Sequence, residues 1–217
     1  MSKKIMLLAL AVASVAMFAL PAAASAQEIH LEGVTSFTGT AGAGSLVAES
    51  EPTITCESTD VTGTVSAGGT TGNITLDFTG CHTSIFGITA KCRTSGSPID
   101  NTISSSGVFH FVTIPVEATT KPGILVTPVV TTIVCAGISN TITGGNIIGT
   151  VTSPACGAES TELTTSFSAT GSVQNHKTYT GSTVNLTAQT SGGAVKAAGL
   201  NSTATTKSAT KGKLNCT

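Results

Sequence analysis

The residues able to do chemistry are few and scattered. The four histidines, His30, His82, His110 and His176, include no pair three or four residues apart, so no short zinc-binding motif exists. Asp60, Asp77 and Asp100 could orient a histidine. However, no serine sits in a Gly-x-Ser-x-Gly elbow, and no strand–helix turn is predicted to hold one. His110 lies in Phe109-His110-Phe111, inside a predicted strand, and reads as a packed or surface ring. Glu49 and Glu51 flank Ser50 just before Pro52, which suits a solvated turn better than the convergent acid pair of a glycosidase. The glycines of Gly39-Thr40-Ala41-Gly42-Ala43-Gly44 and Gly68-Gly69 have no following helix and no Gly-Lys-Ser/Thr ending, so they read as turns and low-bulk strand. No Asp-x-Asp/Asn calcium loop occurs. No catalytic residue, cofactor or metal ligand is therefore predicted, and the chain is expected not to be an enzyme.

The six cysteines are the remaining reactive groups: Cys56, Cys81, Cys92, Cys135, Cys156 and Cys216. No C-x2-C or C-x4-C spacing supports zinc, so an even count in an exported chain reads as up to three disulfides, with fifteen formal connectivities. One echo narrows the choice. Thr53-Ile54-Thr55-Cys56 leads into a Thr/Gly-rich hairpin ending at Thr79-Gly80-Cys81, and Thr132-Ile133-Val134-Cys135 leads into a shorter one ending at Ala155-Cys156-Gly157. If residues 53–81 and 132–157 are a duplicated unit, Cys56–Cys81 and Cys135–Cys156 staple two hairpins, and Cys92–Cys216 ties down the C-terminus. Thr, Gly and Cys at this frequency also imitate a repeat by chance.

Export is expected from the N-terminus. Lys3 and Lys4 precede an apolar run from Ile5 to Leu20, Pro21 ends it, and Ala24-Ser25-Ala26 offers the small residues read by a signal peptidase. The run is short for a membrane span. Residues 1–26 are thus predicted to be a cleaved signal, residues 27–190 a β-rich domain, and residues 191–217 a low-complexity tail pinned by Cys216. The location expected is secreted or cell-surface, with no stable transmembrane insertion after processing.

The elements that carry these residues are set by composition: the chain of 217 residues holds 40 Thr, 24 Ser and 24 Gly, but no Trp, one Tyr and seven Phe. Ten basic and eleven acidic residues give a net charge of −1, which excludes a basic nucleic-acid face, a coiled coil and a charged disordered tail. Ile74, Leu76 and Phe78 alternate with Thr75, Asp77 and Thr79, the pattern of a half-buried strand. It forms a predicted hairpin with Val61–Val65 through Ser66–Gly72. Further strands are expected at 108–114, 124–135, 162–170 and 183–190, with Pro128 marking an edge or bulge and Gly144-Gly145-Asn146 turning a second hairpin between 142–143 and 147–152. The tail from Ser191 to Lys213 is too low in bulk to order itself unless it is held, as an edge strand would be. An all-β antiparallel sandwich or barrel of nine to eleven short strands follows, since no helices exist to cross a parallel sheet. Eight aromatic residues, one of them in the signal, cannot supply the two girdles of an outer-membrane barrel.

Phe37-Thr38-Gly39-Thr40, Thr55-Cys56 and Phe78-Thr79-Gly80-Cys81 resemble the style of secreted Thr/Gly-rich, cysteine-containing β-proteins of soil actinobacteria, over residues 35 to 156. Those proteins are uncharacterised, so the resemblance implies export and β structure but no activity. Chaperone–usher pilins share Thr-rich strands and an early disulfide. Their C-terminal strand with a penultimate aromatic is absent from Lys213-Leu214-Asn215-Cys216-Thr217.

Two functions fit this reading. A hydroxyl-covered, charge-poor sheet with long edges suits a structural or adhesive surface module that self-associates or contacts cell-surface components. The alternative is an extracellular binding module for a small ligand or glycan. Asn73, Asn185, Asn201 and Asn215 begin N-glycan acceptor triplets.

Overall fold

The computed structural model describes residues 29–116, 119–136, 138–177, 184–190 and 193–216. The predicted signal at 1–26 and Tyr179 lie outside the described residues.

Alternation of apolar and hydroxyl residues produces strands throughout, and no helix occurs among the described residues. The first strands are β1 (Ile29–Glu32), β2 (Ser36–Ala41), β3 (Gly44–Ala48), β4 (Ile54–Cys56) and β5 (Ser58–Val65). They are followed by β6 (Thr71–Thr79), β7 (His82–Ile85), β8 (Ile88–Thr94), β9 (Ile103–Val116) and β10 (Thr119–Cys135). The remainder are β11 (Ile138–Ser153), β12 (Glu159–Phe167), β13 (Ala169–Thr170), β14 (Val173–Gln174), β15 (Leu186–Thr190) and β16 (Lys196–Cys216). The number exceeds the nine to eleven expected because long strands are cut by local breaks. Glu57 separates β4 from β5, and Gly42-Ala43 separates β2 from β3.

Strand pairing closes on itself. β2 pairs with β5, β5 with β6, β6 with β9, β9 with β10, β10 with β11, β11 with β12, β12 with β16, and β16 with β2. A second circuit closes through β3, β4, β7, β8, β10, β11, β15 and β16. Both circuits are antiparallel throughout. They are two levels of one barrel with eight walls in chain order: β2–β3, β4–β5, β6–β7, β8–β9, β10, β11, β12 with β15, and β16. Closure removes the long free sheet edges that the sequence suggested.

The tail is a wall of this barrel. β16 takes β15 and β12 on one side and β3, β2 and β1 on the other, so it is not an edge strand. Pro128 does mark an irregularity, a register shift between Val126 and Val129, in a strand paired on both sides. The second expected hairpin is absent, because β11 runs unbroken through Gly144-Gly145-Asn146. Gly145 belongs there for another reason. A Cβ at that position would come within 2.6 Å of the Leu186 Cα and 2.8 Å of the Thr187 nitrogen on neighbouring β15.

The inward positions form a continuous apolar core that includes Val61, Leu76, Phe109, Val126, Ile133 and Leu214. The alternate positions on β5, Asp60, Thr62 and Thr64, are exposed. This is an apolar-in, polar-out barrel, the reverse of a lipid-facing one. Between β12 and β15 the chain leaves the wall, and Val184 from this excursion packs on the outward-facing Ile114 and Ile148.

Three disulfides join all six cysteines, which is compatible with an oxidising compartment. Cys56–Cys81 forms as expected, at the level where β4 gives way to β5 and β6 to β7. The other two pairs correct the sequence expectation: they are Cys92–Cys135 and Cys156–Cys216. Cys92 and Cys135 lie directly opposite each other in the β8–β10 register. Cys135 and Cys156 stand at opposite ends of β11, whose 16 residues amount to roughly 50 Å of extended chain, far beyond the span of a disulfide. The segments 53–81 and 132–157 therefore do not share a common staple. The loops closed span 25, 43 and 60 residues, and chain entropy assigns each closure about 3.5 to 4.5 kcal/mol.

Candidate functional site

The groups that the sequence offered for catalysis stay apart. Asp100 accepts an ion-paired hydrogen bond from Arg93 at 3.0 Å. Asp60 and Asp77 face each other across β5 and β6 on the outer surface, and Asp77 accepts from the Ser104 hydroxyl. Glu51 pairs with Lys196 at 2.9 Å, which holds its carboxyl below the ordinary range, so the turn at 49–51 clips onto the start of β16. His30 contacts Glu32 at 3.1 Å. His82 bonds the Gly80 carbonyl, and His176 shares a 2.8 Å hydrogen bond with the Thr150 hydroxyl. Burial, with a smaller contribution from the charge on Lys121, pushes the His176 imidazole below its ordinary range. Among the described residues, no three His, Cys, Asp or Glu side chains converge as metal ligands.

The barrel interior holds what the sequence reading missed. Phe37 is on β2, Phe109 and Phe111 on β9, and Phe167 ends β12. All four line one apolar cavity of about 60 Å³. Four of the seven phenylalanines thus meet at one place in a chain with no Trp. Phe37 packs edge-on to Phe109 at 5.7 Å between ring centroids, and Phe109 edge-on to Phe111 at 5.6 Å.

Glycines on neighbouring strands make room for these rings. Phe37 stands opposite Gly63, Phe109 opposite Gly72 and Phe167 opposite Gly149, and in each case a Cβ on the glycine would run into the ring. The signal was present in the sequence as Phe109-x-Phe111 on one strand face, together with glycines inside otherwise β-branched strands. It could be read only once the register was known.

The wall beside this cavity is interrupted. In the β12–β16 ladder, Ser160 pairs with Gly212 but Glu162 pairs with Lys207, so residues 208–211 stand opposite Thr161 alone. Thr161, Glu162, Lys207, Ser208 and Gly212 line the cavity on this side, and the Glu162–Lys207 ion pair of 2.8 Å stands beside the interruption of the ladder. That hydrogen bond holds the Lys207 ammonium above its ordinary range. The Thr210 hydroxyl donates to the Gly33 carbonyl at 2.6 Å, which anchors the bulge to the segment after β1.

A second apolar cavity of about 50 Å³ lies further along the barrel, among Leu46, Ile54, Phe78, Ile103 and Leu200. Leu76 lines both cavities and separates them. Eight-stranded barrels have interiors that are either filled by side chains or left with room for one small molecule. Among the described residues, this interior leaves room at these two places.

No family model matches this chain, and no curated protein or solved structure is significantly similar to it.

Proposed function

We propose that the protein is an exported, non-catalytic binding barrel that accepts a small apolar molecule in its interior through the β12–β16 seam. The observation that carries this reading is the convergence of Phe37, Phe109, Phe111 and Phe167 on one cavity beside a break in the wall. Ligand pockets are concave, largely apolar and aromatic, and are commonly found inside antiparallel barrels. A dry apolar void in a well-packed core also lowers stability, so its occupation stabilises the protein.

The competing reading, a structural or adhesive surface module, draws on the outer face. There Thr38, Thr62 and Thr75 lie side by side on β2, β5 and β6, and Thr164 bonds Thr205 across β12 and β16. Its basis in strand addition is weakened, because the barrel walls are paired on both sides. Cleavage near Ala26 and delivery to the exterior belong to this proposal, consistent with the three disulfides.

Xenon is a suitable first probe, being apolar and about the size of the space available. Under xenon pressure, the methyl resonances of Val61, Ile74 and Leu76 are expected to shift saturably, while Val130 on the outer surface stays still. Uniform weak shifts across inner and outer methyl groups would refute the reading.

A further inference from the structure

The second cavity contains one feature that packing does not explain. Ser105 faces inward from β9 between exposed Ser104 and Ser106, is 7% exposed and lines this cavity, yet its hydroxyl has no hydrogen-bond partner among the described residues. A buried hydroxyl without a partner is costly, and most buried polar groups are satisfied. Thr131 lines the same cavity and shows the usual solution: its hydroxyl donates to the Ser104 carbonyl at 2.9 Å. Thr59 also has an unpartnered hydroxyl, but it lines neither cavity.

We infer that the two cavities are the two halves of one elongated site, and that its ligand is a slender, uncharged chain of about five carbons ending in a hydroxyl or carbonyl oxygen that hydrogen-bonds Ser105. This inference rests on the binding reading above and specifies the ligand for it. Four observations set the ligand's properties. No charged side chain lines the inner cavity, so an ionised head group would be left unpaired in an apolar space. One free hydroxyl calls for one polar atom. The two spaces of about 60 and 50 Å³ admit a chain but not a ring system. Finally, Leu76 stands directly opposite Ser105 in the β6–β9 register, so a turn of the Leu76 side chain opens the path from the phenylalanine cavity to the Ser105 hydroxyl. The oxygen enters first, and the alkyl chain stays among the rings.

The experiment compares 1-pentanol, n-pentane and pentanoate on the disulfide-bonded protein, following the methyl resonances of Val61 and Ile74 in the outer cavity and of Ile103 and Val129 in the inner one. Pentanol is expected to bind with a dissociation constant of about 1 mM, to shift both groups, and to bind roughly tenfold more tightly than pentane. Pentanoate is expected not to bind. Ser105→Ala removes an unpartnered hydroxyl and so is expected to fold; in it pentanol should fall to the affinity of pentane or below it, because its own hydroxyl is then buried without a partner, with pentane unchanged. If pentane and pentanol bind equally, or if Ser105→Ala leaves their ratio intact, the inference fails while the binding barrel stands. Shifts confined to the outer cavity overturn it in the same way. If neither compound shifts any interior methyl, the binding reading itself fails.

Discussion

Leu76 is the side chain on which the interior depends most directly. It is 7% exposed, stands opposite Val61 on one neighbour and Ser105 on the other, and forms the partition between the two cavities. Truncation to alanine removes three carbons' worth of transfer free energy, about 2.4 kcal/mol at roughly 0.8 kcal/mol each. The volume released, roughly 80 Å³, joins two spaces that already exist and so cannot be closed by a small collapse. At about 24 cal/mol per Å³ that adds about 2 kcal/mol. Leu76→Ala is therefore expected to destabilise the protein by about 4 kcal/mol. The merged void would exceed the roughly 150 Å³ at which an apolar cavity accepts benzene. Urea unfolding with disulfides intact measures the first effect, read as a lower midpoint at unchanged slope. The second is measured by recovery of the midpoint when benzene is added. A loss under about 1.5 kcal/mol, with no response to benzene, would show that Leu76 forms no partition and that the two spaces are not neighbours.

Four other expectations follow from particular residues. Gly72→Ala places a methyl group against the Thr64 carbonyl and the Phe109 ring and is expected to cost at least about 2 kcal/mol in the same unfolding assay; a neutral result would mean that the ring can move aside. Phe86 is 100% exposed at the tip between β7 and β8 with φ of +51°, a conformation that suits asparagine better, so Phe86→Asn is expected to raise stability by about 0.5 to 1 kcal/mol and to reduce aggregation in light scattering. Replacing both Cys92 and Cys135 by alanine is expected to cost about 4 kcal/mol, with near-native far-ultraviolet circular dichroism retained in the folded fraction. His176 is held below its ordinary value when folded, so the unfolded chain binds a proton more readily. Its contribution is fully present above about pH 6.5 and declines as pH falls below that value toward the lowered pKa, and His176→Gln should flatten this part of the stability profile.

Single strands were visible in the sequence wherever alternation was clean. The hairpin of β5 and β6 is the clearest case, with Val65 paired to Gly72 across the turn foreseen at 66–72. Alternation reports which way a side chain points but not which strand lies beside it, so the choice between the sandwich and the barrel it allowed was out of reach. Glycine misled twice for the same reason. Gly145 looked like a turn because nothing local reveals that β15 presses its backbone against that position. Gly199 and Gly212 helped make the tail look unstructured, although each sits where a neighbour comes too close for a Cβ, Ala169 in one case and Val34 in the other. Alanine behaved similarly: Ala198 and Ala204 are core residues of β16, and Ala204 lines the cavity to which rings from other walls supply the bulk. The cysteines show the limit plainly. A pair joined across its own hairpin could be inferred from spacing, but Cys92 meets Cys135 only because β8 and β10 are neighbours in a register set by the whole barrel.

The strand that borders five others also carries one half of a disulfide. Because β16 supplies the closing wall at both levels, neither circuit can close until residues 196–216 are in place. Cys56–Cys81 and Cys92–Cys135 join segments that lie wholly before β16, whereas Cys156 is joined to β16 itself. A chain cut short before Lys196 keeps the cysteines of two cross-links but has no smaller closed version of this architecture to adopt.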